Sequence, residues 1–204
     1  MAVDTSKEET LRAYNSNPEY YASRFDKYSF YFDGCVERFL SKLHPKSKVV
    51  DMGSGAGTYG TQIRAAGHDV LCIDNSEEMA RISRSRGLTT LVMDMEELRL
   101  PEKDYDAVWA MTSIVHIEKS RIENVLGRAY NILKDDGLLF VCVQEGKDDG
   151  LKEERNFPGL YRHSSTFQKG ELDIRLSRLF KVEETWIVNG DLGVVFLNYL
   201  ARKV

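Results

Sequence analysis

The chain has 204 residues, a formal net charge of −4, 42% apolar and 29% charged side chains, which is the profile of a soluble globular protein able to bury one full α/β core. No run approaches the roughly 20 apolar residues of a membrane helix, and the opening MAVDTSKEETLRAY lacks the basic flank and apolar stretch of a signal peptide, so a cytoplasmic protein with no membrane contact is expected. The acidic balance argues against a broad electrostatic grip on nucleic acid, and Cys35, Cys72 and Cys142, odd in number and far apart, read as reduced thiols with no disulfide or zinc spacing.

Residues 1–44 read as two or three short helices, with Tyr14, Tyr20, Tyr21, Phe25, Tyr28, Phe30, Tyr31 and Phe32 among them. They form a helical cap packed on the rest, a lid over a ligand, or a dimer surface. Residues 45–204 form the main unit. VVDM (49–52) is a first apolar run, followed by a glycine-rich turn and a helix ending at Gly67. HDVLCID (68–74) is a second, and SEEMARISRSRG is a helix with Ser76 as N-cap and Gly87 as its stop. LTTLVMD (88–94) and YDAVWAM (105–111) are a third and a fourth strand. A helix around 121–133 ends at KDDG, and GLLFVCVQ (137–144) is a fifth strand. Alternation of this kind predicts βαβ units and a parallel sheet covered on both faces. FKVEETWIVNG and LGVVFLNYLARKV are joined by so short a link that they must pair antiparallel. The expected fold is α/β: a three-layer αβα Rossmann-like sandwich with a seven-stranded, mostly parallel sheet and one antiparallel strand near the C-terminus. The polar segment 145–169 reads as a long functional loop.

The chemistry concentrates in VVDMGSGAGTYG (49–60). Asp51 ends a strand, and Gly53, Gly55 and Gly57 follow at alternate positions. Glycines let a backbone approach a nucleoside ligand closely, and helix-start amides then face it. Gly55-x-Gly57-x-x-Gly60 also fits the dinucleotide fingerprint, a weak signal alone. Asp51 would serve a cationic aminoacyl group and repel a pyrophosphate. Asp74 ends the second strand, placed to accept ribose hydroxyls. Asp94 ends the third, placed to accept the adenine amino group. Three acids at three successive strand ends favour S-adenosyl-L-methionine over a nicotinamide.

At these motifs the chain resembles the class I S-adenosylmethionine-dependent methyltransferases, in VVDMGSGAG, CIDNSEEM, LVMDMEEL, YDAVWAMTSIVHI and NILKDDGLLFVCV. More narrowly it is similar to small bacterial and archaeal members of unassigned substrate. Ser54 stands where the family usually has cysteine or threonine. The resemblance implies that Gly53, Gly55 and Gly57 line the methionine and ribose portion and that Asp51 organises the aminoacyl end. It implies Asp74, Asn75 and Met79 near the ribose and adenine, and Asp94 with the Met95 amide on the adenine. Ala110 and Met111 would lie beneath the sulfonium, and Tyr14 or Tyr21 would close over the donor.

The expected reaction is methyl transfer to a small-molecule acceptor, giving S-adenosyl-L-homocysteine. His116, just after the fourth strand, is the candidate general base. Two further candidates contact the acceptor: Glu145, and His163 with Arg155 and Arg162 as a cationic surface for an anionic substrate. No metal-ligand spacing is present. The competing readings are an RNA or protein methyltransferase, a nicotinamide oxidoreductase, and a non-catalytic protein that binds S-adenosylmethionine or S-adenosylhomocysteine. The acceptor atom and the choice between monomer and homodimer are open.

Overall fold

The computed structural model describes residues 5–204; residues 1–4 of the expected N-terminal cap lie outside the described residues. Three helices come first: α1 (Thr5–Ser16), α2 (Pro18–Tyr28) and, after a 3-10 turn, α3 (Asp33–Ser41). Then follow β1 (Lys48–Met52), α4 (Thr58–Ala65), β2 (Asp69–Asp74), α5 (Glu77–Ser85), β3 (Thr89–Val92) and β4 (Tyr105–Met111). The remainder is α6 (Ile122–Ile132), β5 (Leu133–Gln144), β6 (Asp149–Glu153), β7 (Tyr161–Ser165), α7 (Glu171–Leu176), β8 (Phe180–Asn189) and β9 (Val195–Lys203).

Seven strands form one sheet in the order β3-β2-β1-β4-β5-β9-β8. β1 to β5 pair in parallel, and β9 enters antiparallel to both β5 and β8. β9 is therefore the single reversed strand, which is what the short link between the last two apolar runs requires. The strand order reverses direction between β1 and β4. At such a switch point the connections leave toward opposite faces, which opens a crevice at the strands' carboxyl ends.

The two faces carry separate cores. Val108 and Ala110 of β4 join Val50, Leu139, Val141 and helix α6 on one face. Ala107, Trp109 and Met111 join Val49, Leu138, Phe140, Cys142 and helix α3 on the other. Ser76 caps α5 through its side chain, which accepts from the Met79 amide, and Gly87 ends that segment at φ +80°. No helix among the described residues is long and apolar enough to cross a membrane.

The segment 145–169 differs from expectation. It holds β6 and β7, paired as an antiparallel hairpin of its own. Its polar strands carry no apolar alternation, so periodicity could not announce them. The pairing is supported from outside, because α1 lies along β7 and Thr10 Oγ1 accepts from the His163 amide at 2.9 Å.

Candidate active site

The ends of β1, β2 and β3 build one wall of a cavity. The chain leaves β1 after Asp51 and Met52 and turns back over β2, where the Gly53 and Ser54 amides both donate to the Ile73 carbonyl at 2.9 Å. Gly53 is at φ +73°, and a Cβ there would come within 2.3 Å of Ser113 Cβ. Only glycine keeps that approach. Asp74 grips the same turn: its Oδ2 accepts from the Gly55 amide at 2.7 Å and its Oδ1 from the Ser76 amide at 2.9 Å. Asp51 is buried beside it, and its Oδ2 has no hydrogen-bond partner. Burial first, then the nearby Asp74 carboxylate, pushes Asp51 up to about 7.

The cavity continues past β4. Thr112 adopts φ +47° there, a region β-branched residues rarely occupy, and its amide donates to the Cys142 carbonyl at 3.0 Å. Strain of this kind marks places where the surrounding structure dictates the backbone. Ser113, His116 and Ile117 extend the wall, and Lys7, Thr10, Leu11 and Tyr14 of α1 with Phe25 of α2 complete it. Helix α1 is tied down at several points. Lys7 is ion-paired to Asp94 and Glu96. Ser76 Oγ donates to Asn15 Oδ1 at 2.6 Å, and Tyr14 Oη lies 2.8 Å from His116 Nε2.

Of the residues singled out in the sequence, Tyr14, Asp51, Gly53, Gly55, Asp74, Asn75, Met79, Asp94, Met95, Met111 and His116 line this cavity. Three do not. Ala110 is fully buried in the core on the α6 face, because side chains alternate along a strand and Met111 takes the cavity side. A Cβ on Gly57 would meet Leu88 Cδ1 at 2.3 Å and Ser83 Oγ at 2.7 Å, so this glycine serves packing against α5 and β3. Tyr21 packs behind Tyr14, its ring tilted by 52° and the centroids 4.7 Å apart.

The acceptor candidates divide as well. His116 is half-buried with both ring nitrogens engaged, Nδ1 at 2.8 Å from the His163 carbonyl and Nε2 on Tyr14. Burial, then Arg162, lowers it to about 3. Glu145 lies outside the cavity and faces Lys169 at 4.0 Å. The expected cationic surface is not formed. His163 is buried between Ser6, Asp149 and Ser165, and Arg162 is ion-paired with Glu154 and donates to Tyr14 Oη at 2.6 Å.

Lys7 was not legible as a site residue, and Arg162, expected on a cationic surface, was not legible as a partner of Tyr14. Their positions depend on α1 and the hairpin folding over the sheet ends, which no local pattern encodes. Thr112 and Ser113 follow a recognised strand, so their adjacency was the available signal.

Residues 49–137 match the family model described as a methyltransferase domain. That stretch carries the three strand-end acids, the glycine turn and β4. Residues 49–137 thus carry the likeness to a methyltransferase domain, within a chain whose fold is that of the class I methyltransferases. The methyltransferase fold recurs in a Burkholderia thailandensis 1,6-didemethyltoxoflavin-N1-methyltransferase, solved with 1,6-didemethyltoxoflavin and S-adenosylhomocysteine bound. That structure covers 100% of this chain, which spans 92% of it, at 19% identity and TM-score 0.81. It recurs in a DhpI complex with S-adenosylhomocysteine at 17% identity and TM-score 0.78, covering 99% of this chain and 98% of that one. Among curated proteins, a malonyl-[acyl-carrier protein] O-methyltransferase of Erwinia pyrifoliae is 30% identical over 124 residues, 58% of this chain and 45% of that protein. A probable tRNA methyltransferase 9B of Bos taurus is 28% identical over 109 residues, 53% of this chain and 24% of that protein. The chain thus spans less than half the length of these two curated relatives.

The cavity suits a sulfonium amino-acid nucleoside on its own chemistry. Asp51 Oδ2, Ser54 Oγ and Ser113 Oγ are buried polar atoms without partners in the cavity wall. A buried acceptor left unpaired is costly unless a ligand donor meets it. A Cβ on Gly55, at φ +54°, would meet nothing within 4 Å, so the backbone there is open to a ligand.

Proposed function

We propose that this protein is an S-adenosylmethionine-dependent methyltransferase acting on a small-molecule acceptor. The observation that carries the donor assignment is the row of acids at the ends of β1 and β2 and two residues past β3, Asp51, Asp74 and Asp94, around a glycine turn open to the cavity. Asp51 takes the donor's ammonium, which offsets the cost of its buried charge. Asp74 accepts from the ribose hydroxyls while holding the Gly55 amide. Asp94 and the Met95 amide take the adenine edge, and Gly53 and Gly55 let the backbone approach the methionine portion. When bound, the donor supplies an electrophilic methyl group. The protein's part is to exclude water and hold the acceptor in line.

The acceptor assignment rests on the roof. Helices α1 and α2 line the cavity from above the strand ends, and the β6–β7 hairpin buttresses α1 through Thr10 and Ser6. A macromolecular substrate would have to displace both. The net charge of −4 also disfavours a polyanion.

Calorimetric titration with S-adenosylmethionine, S-adenosylhomocysteine and NAD tests the reading. Micromolar binding of the first two without NAD is expected, followed by turnover in a screen of small acceptors. Binding of NAD alone would overturn it. Tight donor binding with no turnover on small molecules, but turnover on RNA, would move the acceptor assignment to the macromolecular class.

A further inference from the structure

A chain of hydrogen bonds along the cavity wall has one direction when His116 is neutral. The His163 carbonyl can only accept, so His116 Nδ1, at 2.8 Å, carries the hydrogen. Arg162 can only donate, so Tyr14 Oη accepts from it at 2.6 Å. His116 is held neutral by burial, then by the Arg162 charge, which together bring it down to about 3. Its Nε2 is therefore a bare acceptor, and the Tyr14 hydroxyl donates to it at 2.8 Å. Glu154 fixes Arg162 from behind.

Tyr14 has now spent its one hydrogen and one of its two lone pairs. What remains at this oxygen is a single lone pair, on a residue that lines the cavity. The wall's charged side chains are Lys7, Asp51, Asp74 and Asp94, and Lys7 is committed to Asp94 and Glu96. Among the described residues, no further cation lines the wall to meet an anionic acceptor. Thr10, Leu11, Phe25, Tyr59, Met111 and Ile117 supply neutral surface.

We propose that the methyl acceptor is a neutral molecule whose nucleophilic atom carries a hydrogen, a hydroxyl or a ring N–H, and that this hydrogen is donated to Tyr14 Oη. Arg162 is a positioning residue that orients the Tyr14 hydroxyl so its free lone pair stays available, and His116 receives the hydroxyl's proton through Tyr14. The assignment rests on the methyltransferase reading above. In the step, the acceptor's heteroatom forms the bond to the methyl carbon and the carbon–sulfur bond breaks with its electron pair on sulfur. The acceptor's proton passes to Tyr14 Oη as the Tyr14 proton passes to His116 Nε2. The positive charge lost at sulfur reappears on the imidazole, so the buried site's total charge is unchanged. A weakly basic imidazole takes a proton from a methylated hydroxyl or amide-like ring nitrogen, which are strong acids. It does not take one from an alkylammonium.

Phenol, anisole, benzoate and benzylammonium, titrated into the full chain with S-adenosylhomocysteine present and absent, test this by NMR. Phenol should bind roughly fivefold tighter than anisole, the effect of one hydrogen bond, and both ions should bind more weakly than phenol. In Tyr14→Phe the phenol preference should vanish. Equal binding of anisole, tightest binding of benzoate, no phenol binding at millimolar concentration, or a preference that survives in Tyr14→Phe would overturn the proposal. Nitrogen-15 histidine spectra of the unaltered protein give a second readout that needs no variant. His116 should show a protonated Nδ1 and bare Nε2 from pH 5 to 8, and the opposite tautomer or titration near neutrality would overturn it. Donor binding is read separately. Its failure with the phenol preference intact would sink the methyltransferase reading and leave the recognition by Tyr14 standing.

Discussion

Lys7 of α1 places its ammonium 2.8 Å from Glu96 Oε2 and also pairs with Asp94. Burial opposes that charge, but the hydrogen bonds to Asp94 and Glu96 outweigh it and raise the Lys7 pKa. The acid at the end of the third strand run is therefore latched by a helix from the other end of the chain. Because Asp94 is the proposed adenine contact, this latch and the donor meet at one carboxylate.

Removing the latch should speed exchange at the site. In Lys7→Met, donor association and dissociation rates measured by stopped flow should both rise several-fold. The loss of folding stability should be small, about 1 kcal/mol for a partly exposed pair. Unchanged rates would show that α1 does not gate the cavity.

Asp74 makes two backbone hydrogen bonds in the turn, and the proposed ribose contact adds charge-assisted bonds to them. Asp74→Ala should weaken S-adenosylhomocysteine binding by roughly 1.5–3 kcal/mol or more. Calorimetry at one salt concentration measures it, and an affinity equal to the parent would remove Asp74 from the donor site.

Two titratable groups should give opposing pH dependence. His116 is lowered to about 3 from an unfolded value near 6.5. Between these values the unfolded chain binds the extra proton, so stability rises with pH. Asp51 is raised to about 7 from near 3.9. In that window the folded chain holds the extra proton, so stability falls as pH rises. The two slopes oppose one another from about pH 4 to 6.5. Asp51→Asn should leave the rising slope of His116 exposed, changing stability relative to the parent by a few kcal/mol across that range. Urea unfolding at pH 4.5, 5.5 and 6.5 should reveal the divergence, and parallel curves would refute the assignment. Cysteine 72 and Tyr59 also face Asp51, but both have pKa values raised by burial and stay neutral throughout.

Alternate glycines of one motif should fail in different ways. Gly55→Ala meets open space, so it should fold with a strain cost near 1 kcal/mol for a positive φ and yet lose most donor affinity. Gly57→Ala would collide with Leu88 and Ser83 and should mainly lower the melting temperature. Thermal unfolding and donor titration of the pair separate the two effects, and matched profiles would contradict the placement.

Much of the fold was written in local pattern. Short apolar runs bounded by glycine and aspartate could only be strands covered on two faces, and helices of ten residues or so between them force parallel pairing. The terminal hairpin's short link forces the one antiparallel strand. Asp51, Asp74 and Asp94 could be placed on a common edge because each ends a strand, and strand ends in a parallel sheet point the same way.

Other decisions needed the tertiary structure. A strand buried on both faces has no period-two signal, so Ala110 and Met111 look equivalent until α3 and α6 settle on opposite sides. Gly55 and Gly57 differ only in what lies beyond the missing Cβ. Tyr14, His116 and Arg162, far apart in sequence, became one hydrogen-bonded line because α1 and the β6–β7 hairpin close over the sheet. That same enclosure leaves His116 a neutral acceptor reached through Tyr14, where its residue type had suggested a base acting directly. Local sequence sets backbone preference and the order of elements. The proton positions and charge states of this site follow from burial and from partners about a hundred residues away, which only the folded chain brings together.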